Sequence, residues 1–177
     1  MEFEHTIEEA PSGRAKCRGC GLAIPKGSLR LGERLPNPFS DATPLTLWFH
    51  LECAAFKRPE TFLQTVAESG EQIEDVNRLT QIATFGADHK RVPRINGAQR
   101  APSGRAKCRQ CKETIGKDEW RISLVYFEDG RFNPSGYVHP ACSTEYFGTR
   151  DILTSIRKFG VDLSENDVTE IDSLLDG

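Results

Sequence analysis

The order of apolar and polar positions divides the chain into two halves that repeat one arrangement of elements. Short β-prone segments bounded by turn residues come first in each half, at 28–32 and 45–49 and again at 120–127 and 136–138. Apolar residues at helical spacing then predict two amphipathic helices per half, separated by Gly70 and by Gly160. Ser164 and Asp167 predict an N-terminal capping box for the last helix. The pattern predicts a small α+β protein of two tandem modules, each a short antiparallel sheet with helices.

A repeated box marks the beginning of each module. Residues 10–18, Ala-Pro-Ser-Gly-Arg-Ala-Lys-Cys-Arg, recur unchanged as residues 101–109. The repeat and the changes in composition predict an N-terminal tail (1–9), a first module with a helical tail (10–87), a basic linker (88–100) and a second module with a helical tail (101–177). Beyond the box the copies have diverged, and the side chains that they still share are mainly cationic.

Cysteines and histidines occur at matching places in the two halves. Each half has a C-x2-C pair and, 30 or 28 residues later, an H-x2-C pair, where a short helix is predicted to begin. The two sets are Cys17, Cys20, His50 and Cys53, and Cys108, Cys111, His139 and Cys142. Three thiolates and one imidazole form a closed tetrahedral site, so the spacing predicts two structural Zn²⁺ ions per chain. Reduced buried cysteines or C-x-x-C redox chemistry are weaker readings, because the histidines are duplicated and no βαβ pattern surrounds either pair.

Charge is distributed unevenly along the 177 residues, although the net charge is only −3. Residues 10–35 carry six positive charges against one negative, whereas 60–87 carry one against five and 150–177 three against seven. A polyanionic partner responds to such local clusters of positive charge more than to the net charge of the protein. The length excludes the large catalytic barrels, and no apolar run is long enough to span a membrane. The acidic N-terminus lacks a signal-peptide core, so we expect an intracellular protein, nuclear in a eukaryote or cytoplasmic (nucleoid) in a bacterium.

Four motifs together resemble the poly(ADP-ribose) polymerase-type (PARP-type) zinc finger, the DNA-break-sensing module of those polymerases and of a eukaryotic DNA ligase. They are Ser-Gly-Arg-Ala-Lys-Cys-x2-Cys, Ile-Pro-Lys-Gly-x-Leu-Arg at 24–30, Trp-Phe-His-x2-Cys at 48–53 and Leu-Ser-x2-Asp at 163–167. The resemblance extends over both halves. The second half departs from the pattern, since Gly116 replaces the proline and Tyr137-Val138 replace the tryptophan and its aromatic neighbour.

The resemblance implies which side chains contact DNA. The arginines of Ser-Gly-Arg and of Leu-Arg would grip the phosphate backbone, and the matching positions are Arg14 and Arg30 in the first half and Arg105 and Arg121 in the second. Apolar side chains before the histidine would stack on bases exposed at a break, and the candidates are Phe39, Leu45, Phe127 and Phe132. The cations that both copies retain complete the predicted set: Lys16, Arg18, Lys26, Lys107, Arg109 and Lys117.

These features predict a zinc-dependent protein that recognises DNA breaks or nicks by phosphate contacts and base stacking, without sequence specificity. The expected partners are DNA with breaks or nicks and a recruited repair enzyme that the sequence does not identify. A zinc-scaffolded protein–protein adaptor is the alternative, because the predicted helices are acidic. We expect no enzymatic activity, since four protein ligands leave the metal no open coordination position. The segment His50-Leu-Glu52 is also not a zinc-deaminase motif, because the cysteine pair precedes it in this sequence, whereas in those enzymes the pair follows.

Overall fold

The structure, a computed structural model, describes residues 3–175 and divides into two compact modules, one up to Asp88 and one from His89 onward. Residues 1, 2, 176 and 177, which the predicted tail and second module include, lie outside the described residues. Each module combines one three-stranded antiparallel sheet with helices, which confirms the predicted α+β class. Within the described range, no helix combines the length and the apolar character that crossing a membrane requires.

The first module is built from a sheet followed by three helices. Its elements are β1 (Thr6–Glu9), β2 (Leu29–Leu35), β3 (Leu45–His50), α1 (Leu51–Lys57), α2 (Pro59–Glu68) and α3 (Val76–Asp88). The strands pair antiparallel in the order β1-β2-β3. Leu31, Leu47, Phe49 and Phe62 are completely buried, so the core lies between the sheet and the helices.

The second module has the same strand order and shorter helices. Its elements are a 3-10 helix (Val92–Arg94), β4 (Ile95–Arg100), β5 (Trp120–Glu128), β6 (Arg131–Val138), a second 3-10 helix (Pro140–Cys142), α4 (Ser143–Phe147), α5 (Leu153–Phe159) and α6 (Glu165–Leu174). The strands pair antiparallel in the order β4-β5-β6. Ile115, Ile122, Ile152, Ile156 and Ile171 form its fully buried core.

The segments predicted as the N-terminal tail and the linker each contain a strand. Thr6–Glu9 pairs with β2, and Ile95–Arg100 pairs with β5, so both segments are edge strands of their module's sheet. The sequence signal was weak because each strand is short and polar. In β1 only Ile7 is buried, and β4 contains Gly97 with a φ of +84°.

The predicted helices are present, but their packing differs between the modules. α1 begins directly after His50 and the 3-10 helix Pro140–Cys142 directly after His139, as the H-x2-C pairs predicted. The capping box at Ser164 and Asp167 is also confirmed. α2 and α3 pack against each other and α3 against α1, whereas α5 packs on β4, so similar helical patterns support their sheets in different ways.

A buried ion pair joins the first sheet to its helices. The carboxylate of Glu33 in β2 is 1% exposed and accepts hydrogen bonds from Nη2 of Arg58 at 2.6 Å and from its Nε at 2.9 Å. Thr61 Oγ1 donates a further bond at 3.1 Å. A buried carboxylate is tolerated only with such partners, so this network orients α2 on the sheet.

Candidate metal centres and nucleic-acid surface

The first metal centre lies where a tight turn meets the junction of β3 and α1. The ligand atoms of Cys17, Cys20, His50 and Cys53 all lie within 4.8 Å of one another. His50 Nδ1 is 3.3 Å from Cys20 Sγ and 3.8 Å from Cys53 Sγ. The edge of a tetrahedron with Zn–S bonds of ~2.3 Å is about 3.8 Å. The donors therefore already have the spacing that a tetrahedral zinc ion requires.

The histidine of each centre is held with Nδ1 toward the cysteines. His50 Nε2 lies 3.1 Å from the carbonyl oxygen of Ala23, and His139 Nε2 lies 3.3 Å from that of Thr114. Because a carbonyl oxygen only accepts, Nε2 carries the proton and donates, which leaves the Nδ1 lone pair for the metal. This second contact orients both rings as metal ligands.

The ionisable groups of the first centre also favour a bound metal cation. The hydrogen bond with the Cys53 side chain and the backbone N–H groups of His50, Cys20 and Gly19 lower the pKa of Cys17 to about 4, against the opposing effect of burial. Lys57 in α1 is 4% exposed, and its burial lowers its pKa to about 8 while the neighbouring thiols act in the opposite direction. Three thiolates around Zn²⁺ leave one negative charge, which a neighbouring ammonium group balances.

The second metal centre has the same donors and is more open to solvent. The ligand atoms of Cys108, Cys111, His139 and Cys142 lie within 4.8 Å of one another, and Cys111 is exposed. Burial and the neighbouring thiols Cys111 and Cys108 raise the pKa of Cys142 to about 12. Burial also opposes ionisation of Cys108, but backbone N–H groups, led by that of His139, lower its pKa to about 7. Crowded thiols that resist joint ionisation are stabilised as thiolates by a divalent cation, so this donor set also fits Zn²⁺.

Both centres are therefore Cys3His sites, and the two predicted zinc ions are confirmed by the donor geometry. All four positions of each tetrahedron are filled by side chains. A zinc ion held there links the C-x2-C turn to the end of the last strand and the following helix, and so supplies folding energy.

Most of the predicted DNA-binding cations lie exposed on the loops that carry the C-x2-C pairs or lead from them to the next strand. These exposed residues are Arg14, Lys16, Arg18, Lys26, Arg105, Lys107, Arg109 and Lys117. Arg109 is partly engaged, because its Nε donates to the carbonyl oxygen of Ser135 at 2.8 Å. The structure thus leaves these cations exposed on the segments that carry or follow the C-x2-C cysteines.

The two remaining arginines, Arg30 and Arg121, differ from these exposed cations, because each is buried within its own module. Arg30 is 7% exposed and Arg121 6%. The guanidinium carbon of Arg30 lies 3.5 Å from the ring centroid of Trp48, and that of Arg121 lies 3.5 Å from the ring centroid of Tyr137. Each arginine is therefore fixed by an aromatic ring from the last strand of its sheet. The replacement of tryptophan by tyrosine in the second module preserves this stacking.

The four predicted stacking residues have unequal exposure. Phe39, in the 36–44 loop, is 94% exposed, whereas Leu45, the first residue of β3, is half-buried. Phe127 and Phe132 are also half-buried, and their ring centroids lie 4.9 Å apart. The hairpin that joins them turns at Asp129 and Gly130, both with positive φ, so no long loop is present there. Of these four candidates, Phe39 alone is exposed.

Comparison with known proteins supports the family resemblance. The model of the "Poly(ADP-ribose) polymerase and DNA-Ligase Zn-finger region" matches residues 8–94. The "Poly [ADP-ribose] polymerase" of Sarcophaga peregrina is 32% identical over 145 residues, and "Poly [ADP-ribose] polymerase 1" of Gallus gallus is 29% identical over 156 residues. This chain is a tandem PARP-type zinc-finger protein. The match covers the first module, and the second Cys3His centre supplies the tandem arrangement.

The similarity covers only a small part of these relatives. The aligned region is 72% of this chain but 14% of the Sarcophaga protein, and 78% of this chain but 15% of the Gallus protein. The "Polynucleotide 3'-phosphatase ZDP" of Arabidopsis thaliana is 26% identical over 163 residues, which are 76% of this chain and 23% of that protein. The chain thus spans between about a seventh and a quarter of the length of these relatives.

Glu8 is a residue of this surface that the sequence analysis did not predict. It belongs to the segment that was interpreted as a tail, yet its Oε1 lies 2.7 Å from Nη2 of Arg30. The signal that could have found it is the alternation of polar and apolar residues at 6–9, which is typical of an edge strand.

Proposed function

We propose that the chain binds DNA at strand breaks or nicks without reading base sequence. The observation that carries this proposal is the duplicated arrangement of cations: exposed Arg and Lys side chains beside each zinc centre, with one further arginine stacked on an aromatic ring. Zinc binding requires none of these cations. A guanidinium group forms a planar, charge-assisted contact with phosphate, and a protein that reads only the backbone needs no base-specific contacts.

Preference for an interrupted duplex would come from the first module. Phe39 is 94% exposed on its loop, so its ring is accessible to a base. An intact duplex hides the faces of its bases, whereas a nick exposes one on which an aromatic side chain can stack. Two linked modules would then bind a break more tightly than either alone, because the second binding event becomes intramolecular.

The adaptor function, the alternative from the sequence, receives less support. It rested on acidic helices, but three of the four acidic side chains of α6 are already paired with arginines of their own module. These pairs are Arg157–Glu165, Arg100–Glu170 and Arg150–Asp172. A helix whose carboxylates are engaged in this way offers a partner less free charge than its composition indicates.

Fluorescence anisotropy with labelled intact, nicked and gapped duplexes of one sequence would test the proposed function. We expect saturable binding to all three, weaker at higher salt, with the nicked and gapped duplexes bound more tightly than the intact one. A second, unrelated sequence with the same nick should bind equally. Absence of binding at low salt, or no preference for the interrupted duplexes, would overturn the proposal.

A further inference from the structure

The buried arginine of the first module is already paired with a carboxylate. Glu8 in β1 lies directly across from Arg30 in β2, and the two side chains form an ion pair of 2.7 Å. The guanidinium group is thus held between this carboxylate and the ring of Trp48. Its charge is neutralised within the module, because the carboxylate occupies part of the fork that a phosphate would use.

At the same position of the second module, the carboxylate is missing. Gln99 in β4 lies directly across from Arg121 in β5, and Gln99 and Arg121 each follow Glu8 and Arg30 by the 91-residue offset of the repeat. The Gln99 Nε2 group donates to Ser123 Oγ at 3.4 Å rather than contacting the arginine. The buried Nε of each arginine has no hydrogen-bond partner, but among residues 3–175 only Arg30 of the two forms an ion pair.

We propose that Glu8 and Gln99 set unequal phosphate affinities in the two modules. In the second module a phosphate meets no competing carboxylate at Arg121, whereas the first module binds phosphate through Arg30 only when Glu8 is displaced. This inference rests on the proposed function, because the phosphate is that of bound DNA. The inference adds to the proposed function that Glu8 and Gln99, which need not touch DNA, determine the affinity of each module for phosphate.

Burial strengthens the attraction of an unpaired guanidinium group for an anion. Arg121 is only 6% exposed, so its side chain has lost most of its water, and without a carboxylate its charge is stabilised mainly by the ring of Tyr137. A phosphate group can supply the missing anion there without displacing a carboxylate. In the first module the same phosphate must replace an existing pair, although the Glu8 side chain is 43% exposed and can rotate into solvent.

Exchange of the two residues tests this role in the full-length chain. Glu8→Gln should strengthen binding to a nicked duplex by about twofold to fivefold at moderate salt, the range expected for release of one partly exposed ion pair. Glu9→Gln is the matched control, because it removes the same charge from the same strand, on the face opposite Arg30. Gln99→Glu should weaken binding by a similar factor, and Asn166→Glu on α6 is its charge-matched control. Equal effects of Glu8→Gln and Glu9→Gln would overturn the inference.

A site-resolved measurement separates the inference from the proposed function. In ¹⁵N-labelled protein, the Nε–H signals of Arg30 and Arg121 can be followed during titration with the nicked duplex. The Arg121 signal should move at lower DNA concentration than that of Arg30, and Glu8→Gln should bring the two titrations together. Simultaneous movement in the unsubstituted protein would contradict unequal affinities while leaving DNA binding intact. Failure of every variant to bind DNA would instead refute the proposed function.

Discussion

The ring of Trp48 lies directly over the backbone of Gly32, its partner across β2 and β3. A Cβ atom built at Gly32 would be 2.6 Å from Cζ3 of this ring and 3.0 Å from Cγ2 of Thr6. The glycine therefore provides the space in which the ring lies flat beneath Arg30. In the second module the corresponding pair is Ser123 with Tyr137, so a larger residue on β5 accompanies a smaller ring on β6.

Gly32→Ala should destabilise the first module and displace Trp48 from Arg30. Because the clash involves a ring held between strands, we expect a loss of about 1–3 kcal/mol in the free energy of unfolding. Denaturant titration followed by tryptophan fluorescence would measure this loss. Gly70→Ala is the control, since a Cβ there has nothing within 4 Å, and its stability should be nearly unchanged. An equal effect of both substitutions would argue against the packing role of Gly32.

Replacement of both Ser-Gly-Arg arginines, Arg14→Ala with Arg105→Ala, should weaken binding to a nicked duplex by at least about tenfold. The dependence of the affinity on salt should also become shallower, because fewer phosphates are neutralised. Zinc content should remain two ions per chain, as measured by metal analysis, since neither arginine belongs to a metal centre.

A second pair of exposed arginines provides the matched control for this experiment. Arg78→Ala with Arg157→Ala removes the same charge, one residue from each module, and breaks surface ion pairs with Glu52, Asp75 and Glu165. If this control weakened DNA binding as strongly as the first double substitution, a specific role for Arg14 and Arg105 would be excluded.

Phe39→Ala should reduce the preference for nicked over intact duplex by roughly fivefold or more, which corresponds to the loss of one base-stacking contact. Affinity for the intact duplex should change little, because its bases are not accessible. Phe127→Ala should instead lower the unfolding temperature of the second module, since Phe127 packs against Phe132. A larger loss of nick preference from Phe127→Ala than from Phe39→Ala would reverse the roles that we assign.

Zinc should leave the second centre before the first when a chelator is added or the pH is lowered. Cys111 of the second centre is exposed, whereas Cys17 and Cys53 of the first centre are buried. Protons and chelators compete with zinc for the thiolates, and both reach an exposed ligand more easily than a buried one. Acid should therefore empty the second centre first.

Release of zinc can be followed by the absorbance of a metallochromic indicator. The two phases are assigned with Cys53→Ser and Cys142→Ser, each of which should reduce zinc content from two ions to one. Release in a single phase, or loss from the first centre first, would contradict the prediction.

The sequence was sufficient to predict the metal centres, the two modules and most of the helices. Their signals are local: the C-x2-C and H-x2-C spacings, the repeated box and the apolar periodicity are all read over short stretches. β1 and β4 were missed because each is a short polar edge strand whose structure depends on a partner 20 or more residues away. The stacking role expected for Phe127 and Phe132 came from the sequence position of their segment, and that position does not reveal that their rings pack together.

The ligand sets of both zinc ions were determined by the sequence alone, because coordination depends on residue type and on spacing within a turn or across a strand–helix junction. The availability of the arginines was decided only by the tertiary structure. Arg30 and Arg121 are equivalent in the repeat, yet one is paired and the other is not. The reason is strand register, which places Glu8 opposite the first and Gln99 opposite the second. Whether a buried arginine is already paired depends on the residue opposite it in the neighbouring strand, and that residue is distant in the sequence.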